Sequence, residues 1–330
     1  MNRVRCLFAS TALLAALIGA GPVTAAPADP VIARIQIGHP VFDPGFDGAF
    51  AFGALWVSIG NDEIARIDPA TNDVVATITV GVGFRHEVAG GNGAIWVTNP
   101  DEDSVSRIDP ATNAVTGTFP SGGLLPIGVG TTPGAVWVAN HHAPPGGTGS
   151  VVRLNPTTGS IVETIALGGP FEEGGPGGIA ANAAGVWVTV PNLGAIVRID
   201  PATNAVNGSV AVQPCGIPSI ASQYVVTPGA GCGGPYLGRV NPTTLTAKKL
   251  NPGGIVRFVA GDGTTAWATV TSASCPTNCS PTKNALVHID LATGDVLDRI
   301  KLDGFGFVAI GAGSVWAGSG VTGEVLRVAP

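Results

Sequence analysis

The chain has 330 residues, of which 45% are hydrophobic and only 12% are charged, with 49 glycines and 27 prolines. This composition, poor in Met, Glu and Lys, predicts many short strands that are joined by tight turns and covered on both faces. The formal net charge is −6 and no basic patch is present, which argues against nucleic acids and anionic membranes as partners.

The first 28 residues have the pattern of a Sec-type signal peptide. Two arginines precede an apolar run from Cys6 to about Ala20, and small residues offer cleavage after Ala25 or Ala28. No later apolar run is long enough to span a bilayer as a helix. Cleavage would lower the 16 basic residues by two against 22 acidic residues, so the mature net charge is about −8. We therefore expect a secreted or periplasmic protein without a transmembrane segment, in which residues 29–330 form a single domain.

An internal repeat begins after this segment, and its clearest part is the heptapeptide RIDPATN. The heptapeptide occurs at Arg66–Asn72, Arg107–Asn113 and Arg198–Asn204, each time after a segment such as GALWVS or GAIWVTN. Two positions of the repeat recur along the whole chain, an aromatic position (the aromatic mark) and a mainly basic position (the second mark). The aromatic mark is found at Trp56, Trp96, Trp137, Trp187, Tyr224, Trp267 and Trp316. The second mark is found at Arg66, Arg107, Arg153, Arg198, Arg239, His288 and Arg327.

Seven units with a period in the forties predict an all-β, seven-bladed β-propeller with four-stranded antiparallel blades. In the second unit the four strands a to d are read as VAGG, AIWVTN, SVSRID and AVTGTF. No strand d follows Arg327, whereas Val31–Gly38 has the pattern of a strand d and precedes the first strand a. We therefore expect this N-terminal strand to complete the last blade and to remove the open sheet edge.

RIDPATN is interpreted as the end of strand c and the turn into strand d. Proline fixes φ at the first turn position, and the aspartate before it accepts hydrogen bonds from backbone amides two or three residues later. Asn tolerates the left-handed conformation that closes the turn. These residues are accounted for by turn chemistry, and the tryptophans by packing between blades. His288 stands in the arginine position of strand c, so it is interpreted as structural.

The candidate site lies on the face that carries the b–c and d–a loops, which we call the top face. His86 and Glu87 are the candidate acid–base residues, because imidazole and carboxylate groups that converge on a pore suit proton transfer. The same two residues with His141 are candidate ligands of a divalent cation. The remaining pore-mouth candidates are His39, Asp47, Arg85, His141, His142, Glu172, Glu173 and Arg257. The alternative is that these are ordinary solvated loop residues.

Four cysteines remain after signal cleavage, which favours disulfides in an exported chain. Cys215 and Cys232 lie in two top loops of the fifth unit, and Cys275 and Cys279 flank one loop of the sixth. Bridges 215–232 and 275–279 are therefore plausible among three possible pairings. Metal binding by the four thiolates is the alternative, although CxxxC is not a strong zinc pattern.

The pattern G-x-x-WV-x-N, followed by V-x-RIDPATN-x-V-x-x-TI-x-VG, resembles the YVTN-type seven-bladed propellers and the virginiamycin B lyase (streptogramin lyase) family. The resemblance covers nearly all of residues 30–330 and implies the propeller fold. It also implies an active site of His and Glu on the top face with a magnesium ion. Only His86, in RHEVA, falls at a comparable position, and Glu87 follows this histidine instead of preceding it. The catalytic set of that family is therefore not reproduced.

Three functions follow from these features. The leading hypothesis is a binding or interaction propeller of the bacterial cell envelope that takes a protein, peptide or glycan on its top face. The alternative is a metal-assisted lyase or hydrolase that uses His86 and Glu87 with His141 or His142. A quinone-cofactor or redox protein is the third hypothesis, but no CxxCH or matching cofactor motif supports it.

Overall fold

The computed structural model is built of short strands, with 3₁₀ turns at Pro100–Glu102 and Pro191–Leu193. It describes residues 30–37, 47–60, 62–83, 86–142, 148–167, 175–229, 234–272 and 284–330. The predicted signal peptide lies outside these ranges and stays a prediction. Within these ranges, no helix has the length and apolar character needed to cross a membrane.

The strands form seven four-stranded antiparallel sheets, which confirms the predicted seven-bladed all-β propeller. Strand β1 is Val31–Gln36. Blade 1 contains β2 (Gly48–Ala51), β3 (Ala54–Ser58), β4 (Glu63–Asp68) and β5 (Asp73–Thr79). Blade 2 contains β6 (Val88–Gly91), β7 (Ala94–Asn99), β8 (Ser104–Asp109) and β9 (Ala114–Pro120). Blade 3 contains β10 (Leu124–Thr132), β11 (Ala135–His142), β12 (Ser150–Leu154) and β13 (Ile161–Ala166).

The other four blades continue the same order along the chain. Blade 4 contains β14 (Ile179–Asn182), β15 (Gly185–Val190), β16 (Ala195–Ile199) and β17 (Val206–Ala211). Blade 5 contains β18 (Ser219–Ala221), β19 (Tyr224–Pro228), β20 (Leu237–Asn241) and β21 (Thr246–Leu250). Blade 6 contains β22 (Ile255–Asp262), β23 (Thr265–Thr271), β24 (Asn284–Asp290) and β25 (Val296–Leu302). Blade 7 contains β26 (Val308–Gly311), β27 (Ser314–Ser319) and β28 (Glu324–Val328), with β1 as its fourth strand.

The N-terminal strand closes the ring, as predicted. Strand β1 runs antiparallel to β28, with Val31 opposite Val328 and Gln36 opposite Glu324. Two backbone bonds extend the pairing beyond the strands, from Ala329 N to Pro30 O and from Ile37 N to Gly323 O, both at 2.9 Å. The outer edge of blade 7 is therefore supplied by the other end of the chain, and this blade has no c–d turn.

A tryptophan of strand b faces the basic residue of strand c in every blade except blade 5. Trp96, for example, pairs with Arg107, and Trp267 pairs with His288. These indole rings are at most 3% exposed and pack between blades, as expected for large apolar side chains. The expectation for blade 5 was wrong in register, because Val226 and not Tyr224 lies opposite Arg239. Tyr224 nevertheless lies on the same face, and the Arg239 guanidinium carbon is 4.5 Å from its ring centroid.

The RIDPATN turns have the predicted internal structure. Oδ1 of the motif aspartate accepts a hydrogen bond from the amide two residues later, as in the 2.8 Å bond from Ala111 N to Asp109. The motif asparagines have positive φ, for example 60° at Asn113, which Asn tolerates better than most residues. The aspartates therefore serve turns on the bottom face, away from the candidate site.

The motif arginines make a second contact that the repeat did not reveal. Arg66 of blade 1 donates through Nη1 to Pro110 O at 2.9 Å and to Asn113 Oδ1 at 2.8 Å, both in the c–d turn of blade 2. Arg153 makes the corresponding bond to Asn204 Oδ1 at 2.7 Å. Arg327 donates to Asn72 Oδ1 at 2.9 Å and so joins blade 7 to blade 1. We call this bond from one blade to the turn of the next the arginine clasp.

In the described part of the chain, two of the seven junctions between blades lack the clasp, for different reasons. Between blades 6 and 7, blade 7 has no c–d turn to accept the bond, and blade 6 carries His288 in place of the arginine. The His288 ring stacks on Trp267 with ring centroids 4.2 Å apart, and its Nε2 lies 2.9 Å from Thr265 Oγ1. Between blades 4 and 5, the turn of blade 5 offers no side-chain acceptor. The position that Asn or Gly holds in other turns is Leu245, with φ of 53°. Arg198 of blade 4 donates instead to Ala184 O of its own blade.

Candidate functional site

A channel of about 410 Å³ runs along the propeller axis. All seven a strands line it, mainly with Gly, Ala, Val and Ile, because these strands are the inner edge of each blade. Its size lies in the range of small-molecule sites. Asp47 and Glu87 are the ionisable side chains among the described residues that line it. Both immediately precede a strand a, so they lie at the top end of the channel.

Asp47 and Glu87 occupy the same place in neighbouring blades. Each stands two residues before the strand-a residue that pairs with the tryptophan, namely Ala49 in blade 1 and Ala89 in blade 2. We call this place the rim position. The rim positions of blades 1 to 7 hold Asp47, Glu87, Gly128, Gly178, Ile217, Phe258 and Phe307. The acidic side of the rim is thus confined to two adjacent blades.

Both rim carboxylates bind the backbone of the following blade. Asp47 Oδ2 accepts a 2.9 Å hydrogen bond from Val88 N, and Glu87 Oε2 accepts a 3.2 Å bond from Val129 N. Glu87 is only 2% exposed. Its own amide donates to Thr98 Oγ1 at 2.8 Å. These bonds fix the direction of both carboxylates and join blade 1 to blade 2 and blade 2 to blade 3.

His86 is buried behind the rim, at the junction of blades 1 and 2. Its Nδ1 lies 2.6 Å from Thr98 O, so Nδ1 carries a proton and donates to this carbonyl. Its Nε2 lies 3.6 Å from Asp62 Oδ1, which is too long for a hydrogen bond. Among the described residues, Nε2 has no hydrogen-bond partner and is shielded from solvent. Nε2 therefore faces the Asp62 carboxylate, with which it forms an ion pair when the ring is protonated.

Asp62 was not identified from the sequence, although a signal for it exists. Asp62 and Asp103 both stand at the end of a b–c loop with positive φ, of 59° and 50°. Each accepts a hydrogen bond from a backbone amide that precedes the next rim position, from Gly83 N in the d–a loop at 3.0 Å and from Leu125 N at the start of β10 at 2.7 Å. An alignment of the b–c loops NDEIARID and DEDSVSRID would have paired these two aspartates.

The other described candidates lie farther out on the top face. His141 and His142 end β11, with ring centroids 4.6 Å apart, and His141 Nδ1 lies 3.2 Å from Pro176 O. Arg257 of blade 6 lies over Phe305 at 5.2 Å and donates through Nε to Thr271 Oγ1 at 3.4 Å. Burial lowers the pKa of the Arg257 guanidinium. These three side chains do not belong to the channel lining.

Several candidates fall outside the described residues and stay predictions. These are His39, Arg85, Glu172, Glu173, Cys232, Cys275 and Cys279. Cys215 is described, and its amide donates to Pro228 O at 2.9 Å, which places it beside Gly229 in the same blade. The partner proposed for it, Cys232, follows shortly after Gly229 in the sequence.

The described residues do not fit the magnesium centre that the lyase resemblance implies. Magnesium prefers six oxygen ligands in octahedral geometry. His86 offers one nitrogen, and one oxygen of Glu87 is bonded to Val129 N. Among the described residues, His, Cys, Asp and Glu nowhere form a group of three or more that could hold a metal ion. The set of His86, Glu87 and His141 is therefore not brought together as a metal centre there.

Comparison with known proteins supports the fold and leaves the activity open. No protein-family profile matches the chain, and no curated protein matches it by sequence. Among solved structures, the chain is similar to hydrazine synthase of Kuenenia stuttgartiensis, with a TM-score of 0.69, 14% identity and coverage of 87% of this chain and 96% of that one. It is also similar to a streptogramin B lyase, with a TM-score of 0.67, 15% identity and coverage of 89% of this chain and 96% of that one. The third similar structure is that of the WD40 repeats of RRP9, with a TM-score of 0.70, 10% identity and coverage of 90% of this chain and 97% of that one.

These three proteins differ in function, and identities of 10–15% show a shared fold only. The predicted likeness to the streptogramin lyase propellers is confirmed at the level of the seven-bladed fold. The activity has to be argued from the channel and its rim.

Proposed function

We propose that the chain is an exported β-propeller of the bacterial cell envelope that binds a ligand at the top end of its central channel. The observation that carries this proposal is the channel of about 410 Å³ with Asp47 and Glu87 fixed at one end. A concave, mainly apolar site with a few oriented polar groups is the usual form of a ligand site. The signal-peptide pattern supports export, and disulfides at the four mature cysteines would suit that compartment.

A fragment screen tests the binding function without knowledge of the natural ligand. Neutral, anionic and cationic fragments would be screened by ligand-observed NMR against wild type and against Ala180→Leu, which adds volume at the channel wall. Ala211→Leu is the matched control, because Ala211 is exposed on the outer strand of the same blade. We expect hits that Ala180→Leu weakens and Ala211→Leu does not. If every hit bound all three proteins equally, the channel would not be the site.

Export is tested separately by sequencing the N-terminus of the protein recovered from periplasm and medium. We expect the mature chain to begin at Ala26 or Asp29. A cell-associated chain that retains residues 1–25 would contradict an exported soluble protein.

A metal-assisted lyase or hydrolase is the second candidate, and the buried Nε2 of His86 favours it. A buried imidazole nitrogen that has no hydrogen-bond partner among the described residues and lies 3.6 Å from a carboxylate suits acid–base chemistry or a cation. Elemental mass spectrometry on wild type and His86→Ala tests the metal version, with His288→Ala as the control histidine. A stoichiometric metal lost only in His86→Ala would support this candidate, whereas an equal content in all three proteins would contradict it.

A further inference from the structure

Basic side chains converge on the outer strands of blades 5 and 6, which the sequence did not reveal because the two strands are far apart along the chain. Lys248 and Lys249 lie on β21, Arg299 and Lys301 lie on β25, and all four are exposed. The outer strands of blades 1 to 4 contain neither Lys nor Arg. Residues 201–261 contain no Asp or Glu, so blade 5 contributes no carboxylate. Positive charge is thus gathered on one side of a chain whose formal net charge is −6.

The two lysines of β21 face opposite neighbouring blades. Lys248 lies opposite Arg239, whose Nη1 donates to Ala292 O of blade 6 at 3.2 Å, so both side chains face blade 6. Lys249 points to the other face, because successive side chains of a strand alternate. There its Nζ lies 4.3 Å from the centroid of the Tyr236 ring. The Tyr236 hydroxyl donates at 3.0 Å to a carbonyl that follows β17 of blade 4, so this is the face toward blade 4.

The basic residues of β25 face blade 5. Arg299 Nη2 donates to Pro252 O, just beyond the end of β21, at 2.5 Å. Lys301 follows two residues later in the same strand and therefore lies on the same face. Ile300, between them, is buried between blades 6 and 7, as this alternation requires. Lys248, Arg299 and Lys301 consequently line one groove between β21 and β25, which we call the basic groove.

The basic groove carries excess positive charge. Within the described ranges, the ion pair made by its three cations is that of Lys301 Nζ with Asp303 Oδ1, at 4.0 Å between two well-exposed side chains. Such a pair contributes little energy. Asp298 lies on the opposite face of β25, beside His288. Arg299 uses one N–H on Pro252 O, and a backbone carbonyl does not neutralise the guanidinium charge.

Protection of an open sheet edge does not account for this arrangement. Lysines on edge strands commonly prevent pairing with a second sheet. Blades 1 to 4, however, have no basic residue on their outer strands and expose apolar side chains there, such as Val75 and Val162, at 50% and 52%. Like charges that face each other across a groove repel unless an anion lies between them. The arrangement therefore indicates a binding surface for an anionic partner.

The geometry of the basic groove suits an extended peptide. β25 is the outer strand of its sheet, so one of its edges pairs with no other strand. A peptide that added to this edge would form backbone hydrogen bonds and place alternate side chains over Arg299 and Lys301, because residues on one face are about 6.6 Å apart in both strands. Lys248 would reach the same side chains from β21. A long polyanion fits less well, since the negative charge of the rest of the chain would repel it.

We infer that the basic groove binds a short acidic peptide segment, which adds to β25 as a fifth strand and places alternate carboxylates at Arg299, Lys301 and Lys248. Carboxylates form charge-assisted hydrogen bonds with both guanidinium and ammonium groups, which are stronger than bonds between neutral groups. The basic groove lies on the outside of the ring and not in the channel. The inference therefore goes beyond the proposed function and does not depend on it.

Fluorescence anisotropy with labelled peptides and the whole protein tests the inference. The probe is a peptide of sequence TEVEVET, whose three glutamates lie on one side of an extended chain. TQVQVQT removes the charge, and TEVEVET with its three central amides methylated removes backbone donors. The protein variants are Lys248→Gln and Lys301→Gln. Lys249→Gln is the matched control, since Lys249 is the adjacent residue of the same strand and faces the other way.

We expect TEVEVET to bind about tenfold more tightly than either altered peptide. Lys248→Gln and Lys301→Gln should each weaken its binding about threefold, and the double variant about tenfold, as partly exposed ion pairs predict. Lys249→Gln should leave the affinity unchanged, although it removes the same net charge. All three lysines are exposed, so these changes should preserve the fold, and thermal unfolding checks this.

Any of four results would overturn the inference. Equal weakening by all three lysine variants would mean that net charge alone attracts the peptide. Equal affinity for the methylated peptide would rule out addition to β25 as a strand. Binding of trigalacturonate but not of TEVEVET, weakened by Lys248→Gln, would mean that the basic groove takes an acidic glycan. Absence of binding by TEVEVET would remove the peptide site and leave the channel proposal to the fragment screen.

Discussion

Arg66 Nη1 of blade 1 donates to Asn113 Oδ1 of blade 2 at 2.8 Å, so the first residue of one RIDPATN copy binds the last residue of the next copy. The motif therefore has two roles, as a turn within its own blade and as one half of the arginine clasp between blades. The guanidinium of Arg66 also lies 5.2 Å from the Trp56 ring. This pairing explains why the arginine, the asparagine and the tryptophan recur together.

Replacement of Arg66 by Met should lower the free energy of unfolding by about 1.5–3 kcal/mol, because the clasp contains hydrogen bonds to a charged group. Arg198→Met is the matched control, since within the described ranges Arg198 donates only to Ala184 O of its own blade. We expect its effect to be about 1 kcal/mol or less. Urea unfolding of both variants measures the difference. Equal losses would show that the clasp adds nothing to the stability of the ring.

Leu245→Asn should create the missing clasp between blades 4 and 5. Asn is tolerated at positive φ, and its Oδ1 would stand where Asn113 accepts from Arg66. The gain is expected to be offset in part by lost packing of Leu245 on Gly208. A double-mutant cycle with Arg198→Met isolates the new bond, and we expect a coupling of about 1 kcal/mol. Additive effects would mean that Arg198 does not reach the turn.

Acidification should weaken the protein partly through His288. Burial lowers the pKa of its imidazole below the usual 6.5, and the nearby Asp262 and Asp298 oppose this shift. The unfolded chain then binds a proton more readily than the folded chain. The contribution of His288 to the free energy of unfolding is therefore complete above pH 6.5 and is lost as the pH falls through the lowered pKa. Between pH 7.5 and 5.5, the Tm of wild type should fall by about 1–2 °C more than that of His288→Gln. A larger fall in the variant would contradict the direction of the shift.

Removal of residues 1–37 should prevent the formation of a stable ring, because β28 would lose its partner and expose an edge. Removal of residues 1–28 is the control and leaves β1 in place. Circular dichroism and size-exclusion chromatography should show a cooperative monomer for the control and aggregation or loss of cooperativity for the longer deletion. A folded, monomeric product of the longer deletion would show that closure is dispensable.

The fold could be predicted from sequence because its determinants are local and repeated. The spacing of tryptophans, arginines and RIDPATN turns gave seven units, and the pattern of Val31–Gly38 identified the closing strand. Blade 5 shows the limit of this approach. Tyr224 was placed in the tryptophan register on aromatic character, but the register follows the pairing with Arg239, which brings in Val226.

The candidate site was less predictable because its contacts cross from one blade to another. The positions of Asp47 and Glu87 before strand a could be read from the repeat, whereas their bonds to Val88 N and Val129 N depend on how adjacent blades pack. Asp62 was missed for the same reason, since it meets His86 from a different blade. Convergence of separate loops has no fixed spacing in the sequence.

The pairing of β1 with β28 also determines when the native state becomes available to the chain. A contact between segments at opposite ends of the sequence carries a large loop-closure cost, and such contacts slow folding. Blades 1 to 6 can be synthesised before the partner of β1 exists. The ring therefore completes only after residues 324–328 have been made, so blade 7 should be the last part of the propeller to acquire protection from hydrogen exchange during refolding.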